Sequence, residues 1–291
     1  MTTITTFGLD SNMRSAIDTV IDVDNHCEDT LHTASKTQRQ QTDIAIILVF
    51  SEVTQDICDQ SSFDTIISLG AGTDHIDIEA CHSNDIVACN TPAYGSNTVA
   101  EHTFALLLNH ERHLRDIQGE QTPFSREPYL GQQLAGKTFG ALGTGGIGKA
   151  AVRIAQGFDM ETIGYDVEED NTLHDQDVFT YKSLSEVLAA ADVLGLYAPA
   201  TPSTTNIIGK DALTTMKQDA ILVNTAREQL IDHEALLEAL ASKEIRGALL
   251  DVVDNDYYDA LNQRDDTIIT PIMRSTQNKP SNPWQTKQKT S

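Results

Sequence analysis

The sequence predicts an α/β protein with a doubly wound parallel sheet and a second, smaller α/β unit. Short apolar runs recur along the chain and alternate with helical patterns, as expected for parallel strands buried on both faces. One of these runs, 138–142, ends in the glycine turn Gly143-x-Gly145-x-x-Gly148 and passes directly into a helical pattern at 147–158. The order of strand, glycine turn and helix is typical of a dinucleotide-binding unit, so the larger sheet is predicted to have the Rossmann form.

The smaller unit is predicted to occupy residues 1–95. Its strands are predicted at three apolar runs: 43–50, 65–69 and 85–89. The first forty residues are polar and weakly patterned, so no element is predicted there. A long helix from Thr98 to about Leu114 follows and is expected to bridge the two units. The polar stretch 115–135 contains two prolines and is predicted to be a linker or an exposed loop.

The larger unit is predicted to occupy residues 96–271, and strands alternate with helices throughout it. After the run at 138–142, strands are predicted at 161–165, 178–181, 192–197, 220–224, 247–252 and 267–270. Helices are predicted after the glycine turn, after the capping box Ser183-x-x-Glu186, at 210–216 and at 232–242. This alternation is what a doubly wound sheet requires, because each parallel crossover needs a helix.

The glycine turn and the strand after it predict an NAD site. Gly143 permits the tight turn, Gly145 lets the backbone approach a pyrophosphate, and Gly148 lets the helix pack on its strand. The free N–H groups of the helix start complete the predicted site through Thr144, Gly146 and Ile147. A glycine cluster alone would also fit an ordinary loop, but Asp166 follows the next strand, where it can accept a hydrogen bond from the ribose 2′-OH. Two more acids follow and no arginine is near, so NAD is predicted rather than NADP.

Composition restricts the partners that the chain is predicted to bind. Its 291 residues include 43 Asp and Glu against 20 Lys and Arg, a net charge of −23. Such a surface disfavours nucleic acid and anionic membranes and is predicted to be simply solvated. No membrane-spanning run or secretory signal is visible, and the cysteines show no Cys-x-x-Cys spacing, so a cytoplasmic location with reduced thiols is predicted. No metal site is predicted, and His75 and His102 are predicted to be structural.

Seven stretches along the chain carry a family resemblance. They are 69–77 (LGAGTDHID), 90–92 (NTP), 99–103 (VAEHT), 134–148 (LAGK with the glycine turn), 216–217 (MK), 224–227 (NTAR) and 247–252 (GALLDV). Together they resemble the D-isomer-specific 2-hydroxyacid dehydrogenase family, from about Asp43 to Pro271. The Gly-Thr-Gly form of the turn and Tyr165-Asp166 are similar to the D-lactate dehydrogenase branch of that family.

The resemblance implies hydride transfer between NADH and a small 2-oxo acid or D-2-hydroxy acid. The cleft would lie between a nucleotide domain and a smaller, flavodoxin-like substrate domain, and a homodimer is implied as well. The backbone of Ala71 and Gly72 matches the family's carboxylate-binding turn, and Arg227 matches its substrate-binding arginine. Asp251 matches the acid that holds the nicotinamide amide. From the residues alone, Arg227 would also fit a surface cation and Asp251 a cap on the following turn.

The chain departs from the family pattern at the acid–base pair. Asp256 stands where the family has a glutamate, and its side chain is one methylene shorter. Ile272 stands directly after Thr270-Pro271, where the family has the histidine that donates the proton. Two functions therefore stay open: a dehydrogenase of impaired activity, with Arg227 and Asp256 as its catalytic candidates, or a catalytically inactive NAD-binding protein, either a sensor or a decayed copy.

The stretch 272–291 is predicted to be an irregular tail in place of the family's C-terminal helix. It contains two prolines and shows no apolar periodicity. When the last base of each codon is read with the first two bases of the next, the family's run His-Asn-Ala-Phe-Asn-Thr is permitted after Pro271. This favours the loss of one base at that codon, and a natural family member with a degenerate tail is the alternative.

Overall fold

The computed structural model describes residues 2–92, 95–117, 130–174 and 178–270. Most of the predicted loop at 115–135 and the whole predicted tail at 272–291 lie outside the described residues. The described residues form two parallel sheets with flanking helices. This arrangement confirms the predicted α/β class with a Rossmann-like sheet and a second, smaller sheet.

The first sheet has five strands: β1 (Ile4–Phe7), β2 (Asn25–Cys27), β3 (Ile44–Ile47), β4 (Thr65–Ser68) and β5 (Val87–Cys89). Their order is β2-β1-β3-β4-β5, the doubly wound order of flavodoxin-like folds. The helices between them are α1 (Ser11–Asp18), α2 (Lys36–Gln40), α3 (Gln55–Asp59) and α4 (Ile78–Ser83). The three strands predicted in this unit are confirmed as β3, β4 and β5.

The elements of the first forty residues have no clear apolar signature, because their buried side chains are a mixture of polar and apolar ones. Thr5 and Thr6 of β1 are both buried. The hydroxyl of Thr42 donates to that of Thr5 at 2.9 Å, and the hydroxyl of Thr6 lies 2.7 Å from Nδ1 of His26. Helix α1 buries no residue at all. Strand β1 is therefore stabilised by hydroxyl pairs and sheet hydrogen bonds together with the buried ring of Phe7, and a search for apolar runs does not detect this mixture.

The second sheet has seven strands: β6 (Thr138–Leu142), β7 (Glu161–Tyr165), β8 (Phe179–Tyr181), β9 (Val193–Leu196), β10 (Ile221–Asn224), β11 (Gly247–Leu250) and β12 (Thr267–Ile269). Their order is β12-β11-β10-β9-β6-β7-β8, so the direction of winding reverses between β6 and β9. All its pairings are parallel. The seven predicted strands of this unit are confirmed, with ends that differ by one or two residues.

Eight helices accompany the second sheet in the described part of the chain. They are α5 (Ser96–Glu111), α6 (Leu114–Ile117), α7 (Gly146–Gly157), α8 (Asn171–His174), α9 (Leu184–Ala190), α10 (Lys210–Thr215), α11 (His233–Ser242) and α12 (Asn255–Asn262). The capping box predicted at Ser183 and Glu186 is present at the start of α9. Helices α6, α8 and α12 are absent from the sequence prediction: α6 and α8 have only four residues each, and α12 buries only Leu261. Residues 115–117, predicted to belong to a loop, therefore lie in α6.

We call the part of the chain that carries the first sheet the first unit and the part that carries the second sheet the second unit. The core of the second unit lies on both faces of its sheet. In β10, Leu222 belongs to the apolar cluster on one face and Val223 to the cluster on the other, as the two-residue period of a strand requires. The predicted bridging helix α5 packs on the second face with α7: the ring of Phe104 lies 5.4 Å from that of Phe139 in β6. Helix α5 is therefore anchored on the second sheet.

Candidate active site

The predicted site residues lie where parallel strands end, with one exception. Gly143 follows β6, Asp166 follows β7, Arg227 follows β10, Asp251 follows β11, and Ala71 and Gly72 follow β4. Ligands of open α/β sheets bind at this carboxyl edge, near the point where the strand order reverses. The exception is Asp256, which lies in the first turn of α12.

The glycine turn leaves a cradle that larger side chains would fill. Gly143 has a φ of +95°, and a Cβ there would come within 2.7 Å of the backbone that follows β9. A Cβ on Gly148 would lie 2.0 Å from the carbonyl oxygen of Gly143. Gly145, by contrast, has nothing within 4 Å of its Cβ position, and Gly146 and Ile147 begin α7 next to it. The turn thus has the room and the free helix N–H groups that a pyrophosphate requires.

Asp166 is held against this turn by Thr144. The backbone N–H and the hydroxyl of Thr144 both donate to Oδ2 of Asp166, at 2.6 and 3.1 Å, and the N–H of Glu168 donates to Oδ1 at 3.2 Å. The hydroxyl of Tyr181, in β8 on the far side of β7, lies 2.9 Å from that of Thr144. A carboxylate has about four acceptor sites, so one site on Oδ1 is left for a ribose hydroxyl.

The lysine that follows the glycine turn is neutralised within the same unit. Nζ of Lys149 donates to Oδ2 of Asp170 at 2.5 Å. Hydrogen bonds from Lys149 and then Thr172 lower the pKa of Asp170, so this carboxylate stays ionised. Lys149 therefore forms an ion pair beside the turn, and its charge is not available to bind the 2′-phosphate of NADP.

Asn224, the last residue of β10, shapes the loop that carries Arg227. Its side chain is fully buried, where Nδ2 donates to the Arg227 carbonyl at 2.8 Å and Oδ1 accepts from the Ala226 N–H at 3.0 Å. These two bonds tie the backbone of the loop to the buried Asn224 side chain, and the backbone of Arg227 is extended. The guanidinium is thereby directed at the first unit.

Arg227 is bound there by Asp74, across the two units. Nε donates to Oδ2 of Asp74 at 2.9 Å and Nη2 donates to Oδ1 at 2.7 Å, while Nη1 donates to the Ala226 carbonyl at 3.0 Å. Burial raises the pKa of Asp74, but the hydrogen bond and charge of Arg227 outweigh it and lower the pKa overall. Because a guanidinium has five N–H groups, these bonds leave one on each terminal nitrogen for a ligand.

The turn after β4 lies directly against this guanidinium. A Cβ on Gly72 would come within 2.0 Å of Nη2 of Arg227, so only glycine permits the contact. The carbonyl of Ala71 accepts a hydrogen bond from Nδ2 of Asn90 at 2.8 Å, which fixes the turn from β5. The structure thus brings Ala71, Gly72 and Arg227 together at one point between the two sheets.

Asp251 forms a compact cluster with His102 and Thr270. The Thr270 hydroxyl donates to Oδ1 of Asp251 at 2.5 Å, and Nε2 of His102 lies 3.1 Å from the same oxygen. The side chain of Asp251 is only 12% exposed, although it stands at the carboxyl edge of the sheet. Sequence reasoning assigned His102 a structural place and did not consider Thr270.

Asp256 stands apart from these groups. Its side chain is exposed, and within the described part of the chain no hydrogen bond or ion pair links it to Arg227 or to a histidine.

His75 lies beside Asp74, with Nε2 3.0 Å from the Ser68 hydroxyl, and burial lowers the pKa of His75. Ile272 lies outside the described residues. Sequence reasoning missed Asp74 and Asn224, which hold Arg227 of the candidate site, although both stand inside the quoted motifs.

The described residues show neither a cluster of metal ligands nor a membrane span. No three His, Cys, Asp or Glu side chains among them are grouped as metal ligands. None of the helices in these ranges is both long and apolar enough to cross a membrane.

The glycine turn, the acid after the second strand and the winding reversal define an NAD-binding α/β protein. The sequence pattern described as "D-isomer specific 2-hydroxyacid dehydrogenase, NAD binding domain" matches residues 103–273. The chain belongs to this family, and its cofactor is NAD.

Relatives support the same family. The chain is 33% identical over 250 residues to the glyoxylate reductase of Pyrococcus furiosus, covering 81% of this chain and 74% of that protein. It is 34% identical over 221 residues to the D-3-phosphoglycerate dehydrogenase of Methanocaldococcus jannaschii, covering 75% of this chain but only 42% of that longer protein.

A solved structure shows the same architecture. It is that of D-lactate dehydrogenase from Aquifex aeolicus complexed with NAD and lactic acid, with a TM-score of 0.81 and 25% identity. The match covers 92% of this chain and 87% of that one.

Proposed function

We propose that the protein is an NAD-dependent oxidoreductase that transfers hydride between NADH and a small 2-oxo acid, or the reverse from a D-2-hydroxy acid. The placement of Arg227 carries this proposal. Its guanidinium lies against the Ala71–Gly72 turn and keeps one N–H on each terminal nitrogen. Those donors fit a planar carboxylate and the carbonyl beside it.

Each group then has a role in the reduction. Arg227 and the N–H groups of Ala71 and Gly72 bind the substrate carboxylate, and Arg227 polarises the carbonyl at C2. Asp251 accepts a hydrogen bond from the nicotinamide amide and fixes the face that the ring presents. NADH, when bound, supplies the hydride that adds to C2. One proton must then reach the carbonyl oxygen to complete the 2-hydroxy acid.

Proton delivery is the step that this chain performs poorly in our proposal. Ile272 has no ionisable group, and the exposed Asp256 has no histidine partner among the described residues. The family match also stops at residue 273, beside the predicted tail. These observations favour a second candidate, a protein that binds NAD without turnover, and they support impaired catalysis in the first.

One titration separates the two candidates. NADH binding is measured by its fluorescence, and NADH oxidation is then followed with pyruvate, 2-oxobutyrate, hydroxypyruvate and glyoxylate. Slow oxidation with any of them supports the dehydrogenase. Tight NADH binding with no oxidation of any kind supports the inactive protein.

The DNA tests the proposed base loss. Reading codons 268–291 in the shifted frame should give the histidine and then an apolar helix. A variant that restores that frame should gain turnover with 2-oxo acids. An early stop in the shifted frame refutes the base loss and leaves a natural, degenerate tail.

The remaining proposals concern organisation. Residues 1–95 form the substrate domain and residues 96–271 the NAD domain, and the protein is cytoplasmic.

A homodimer through the region of α5 is supported by three exposed apolar side chains near its C-terminal end: Leu114, Ile117 and Leu130. Light scattering on purified protein should give twice the mass of the chain, and a monomer mass would refute the dimer.

A further inference from the structure

Three elements of the second unit meet at Asp251. His102 comes from α5, Asp251 follows β11, and Thr270 follows β12. The three polar atoms form a closed triangle: Thr270 Oγ1 to Asp251 Oδ1 at 2.5 Å, His102 Nε2 to Oδ1 at 3.1 Å, and His102 Nε2 to Thr270 Oγ1 at 3.0 Å. Residues 102 and 251 are 149 positions apart in sequence, so this contact is a product of the fold.

The donors and acceptors of this triangle can be counted. An ionised carboxylate only accepts, so the single hydroxyl hydrogen of Thr270 goes to Oδ1 of Asp251. His102 must then present an N–H at Nε2, which both Oδ1 and the threonine oxygen accept. Oδ1 is therefore fully used, and its two donors come from different directions.

The second oxygen of the same carboxylate is in a different state. Oδ2 of Asp251 accepts no hydrogen bond from the described residues, and the side chain keeps 12% of its surface exposed. An oxygen with no partner in the fold can accept a hydrogen bond from a ligand at this edge of the sheet. The amide of nicotinamide carries two N–H groups, and either of them can donate a hydrogen bond to Oδ2.

We propose that His102 and Thr270 are positioning residues, which fix Asp251 so that Oδ2 faces the carboxamide of the nicotinamide ring. The inference rests on the proposed role of Asp251. Without the two donors, the carboxylate could rotate about its Cβ–Cγ bond and turn either oxygen away. The pair thus determines how firmly the ring end of NADH is held, and it touches neither the pyrophosphate turn nor Arg227.

Binding measurements with three ligands test the proposal without any turnover. NADH carries the amide, its 3-acetylpyridine analogue replaces the amide by a methyl ketone without N–H donors, and ADP-ribose lacks the ring. The variants are Thr270→Val, which keeps the shape and removes the hydroxyl, Thr270→Ser, which restores it, and His102→Ala. Thr267→Val, three residues earlier in β12, is the matched control, because the Thr267 hydroxyl donates to backbone carbonyls away from the cluster.

The expected result is selective. Thr270→Val and His102→Ala should each weaken NADH binding about fivefold to tenfold, with ADP-ribose and the acetylpyridine analogue nearly unchanged. Thr270→Ser should bind NADH like the original protein, and Thr267→Val should leave all three affinities alone. Equal loss for NADH and ADP-ribose, or no loss for either, would overturn the proposal.

Failure of the proposed function gives a separate signature. A chain that binds no 2-oxo acid would refute the oxidoreductase, yet the three-ligand comparison would still report on Asp251. If Asp251→Asn binds NADH and the acetylpyridine analogue with the same ratio as the original protein, Asp251 does not contact the amide. In that case the positioning role fails as well.

Discussion

The two ends of the candidate site are built in different ways. At the cofactor end, Asp166, Thr144 and Tyr181 bond one another within a single sheet. At the substrate end, Arg227 comes from the second sheet, whereas Gly72 and Asp74 come from the first. The cofactor end therefore depends on local geometry, while the substrate end depends on how the two units are placed against each other. Substitutions at the two ends should consequently behave differently.

The largest expected effect is at the substrate end. Arg227→Lys keeps the charge but loses the planar set of donors, so 2-oxo acid binding should weaken about 100-fold. NADH binding should stay within twofold, because the cofactor end is closed within its own unit. Titrations with NADH and with oxalate, a non-reducible dicarboxylate, measure the two separately.

The matched control is Arg264→Lys. Arg264 forms the same two-bond pair with Asp266, at 2.7 Å for both bonds, but outside the site. If Arg227→Lys binds oxalate as the original protein does, Arg227 does not belong to the substrate end.

A second experiment weakens the cofactor unit alone. Glu111 at the end of α5 is 1% exposed and accepts hydrogen bonds from Arg246 and from the N–H of Gln132. Burial raises the pKa of Glu111, but the nearby His110 ring and the hydrogen bonds of Arg246 outweigh this effect and lower the pKa from 4.5 to about 2. Glu111→Gln should therefore reduce the free energy of unfolding by about 2 kcal/mol at neutral pH, because it leaves Arg246 without a charged partner.

The pH dependence has a definite sign. The folded pKa is depressed, so this stabilisation is fully present above pH 4.5 and is lost as the pH falls towards about 2. Denaturant unfolding at pH 7 and pH 3 should show the difference between variant and original protein shrinking at the lower pH. A constant difference would contradict the role of the Glu111 charge.

The third effect is at the cofactor end. Asp166→Ala removes the acceptor for the ribose hydroxyl and frees the N–H of Thr144, so NADH should bind about tenfold more weakly. The affinity for NADPH should fall little, because the variant also lacks the carboxylate that repels the 2′-phosphate. The ratio of NADH affinity to NADPH affinity should therefore become smaller. Glu168→Ala, which keeps Asp166, should preserve the preference. Equal NADH and NADPH affinities in the original protein would refute the assigned role.

The smallest effect concerns the contact between the units. Asp74 and Arg227 are both about one-third exposed, so their pair is screened by water, and Asp74→Asn should cost below about 1 kcal/mol of unfolding free energy. The pKa of Asp74 is lowered, so this small contribution is present above the ordinary aspartate pKa and disappears in acid. If Asp74→Asn lowered the free energy of unfolding as much as Glu111→Gln does, the contact between the two units would stabilise the protein far more than an ion pair exposed to water can.

The sequence predicts the cofactor end well and the substrate end only in part. The glycine turn and Asp166 are close in sequence and follow apolar strands, so their geometry can be inferred from spacing. Asp74 lies 153 positions from Arg227, and no local pattern reports that contact. Strand β1 and helix α12 were not predicted for a related reason: β1 buries two threonines beside Phe7, and α12 buries only Leu261.

The ion pair on Arg227 has a consequence for selectivity among anions. A bare guanidinium in a cleft would attract chloride or phosphate as readily as a metabolite. Here Asp74 already balances the charge, and two N–H groups in a fixed plane are what the arginine still offers. A spherical ion gains little from that pair, whereas a carboxylate with an adjacent carbonyl can place one oxygen on each donor. In the proposed function, recognition at this end therefore depends on shape more than on net charge, and we expect common salts to compete weakly with the substrate.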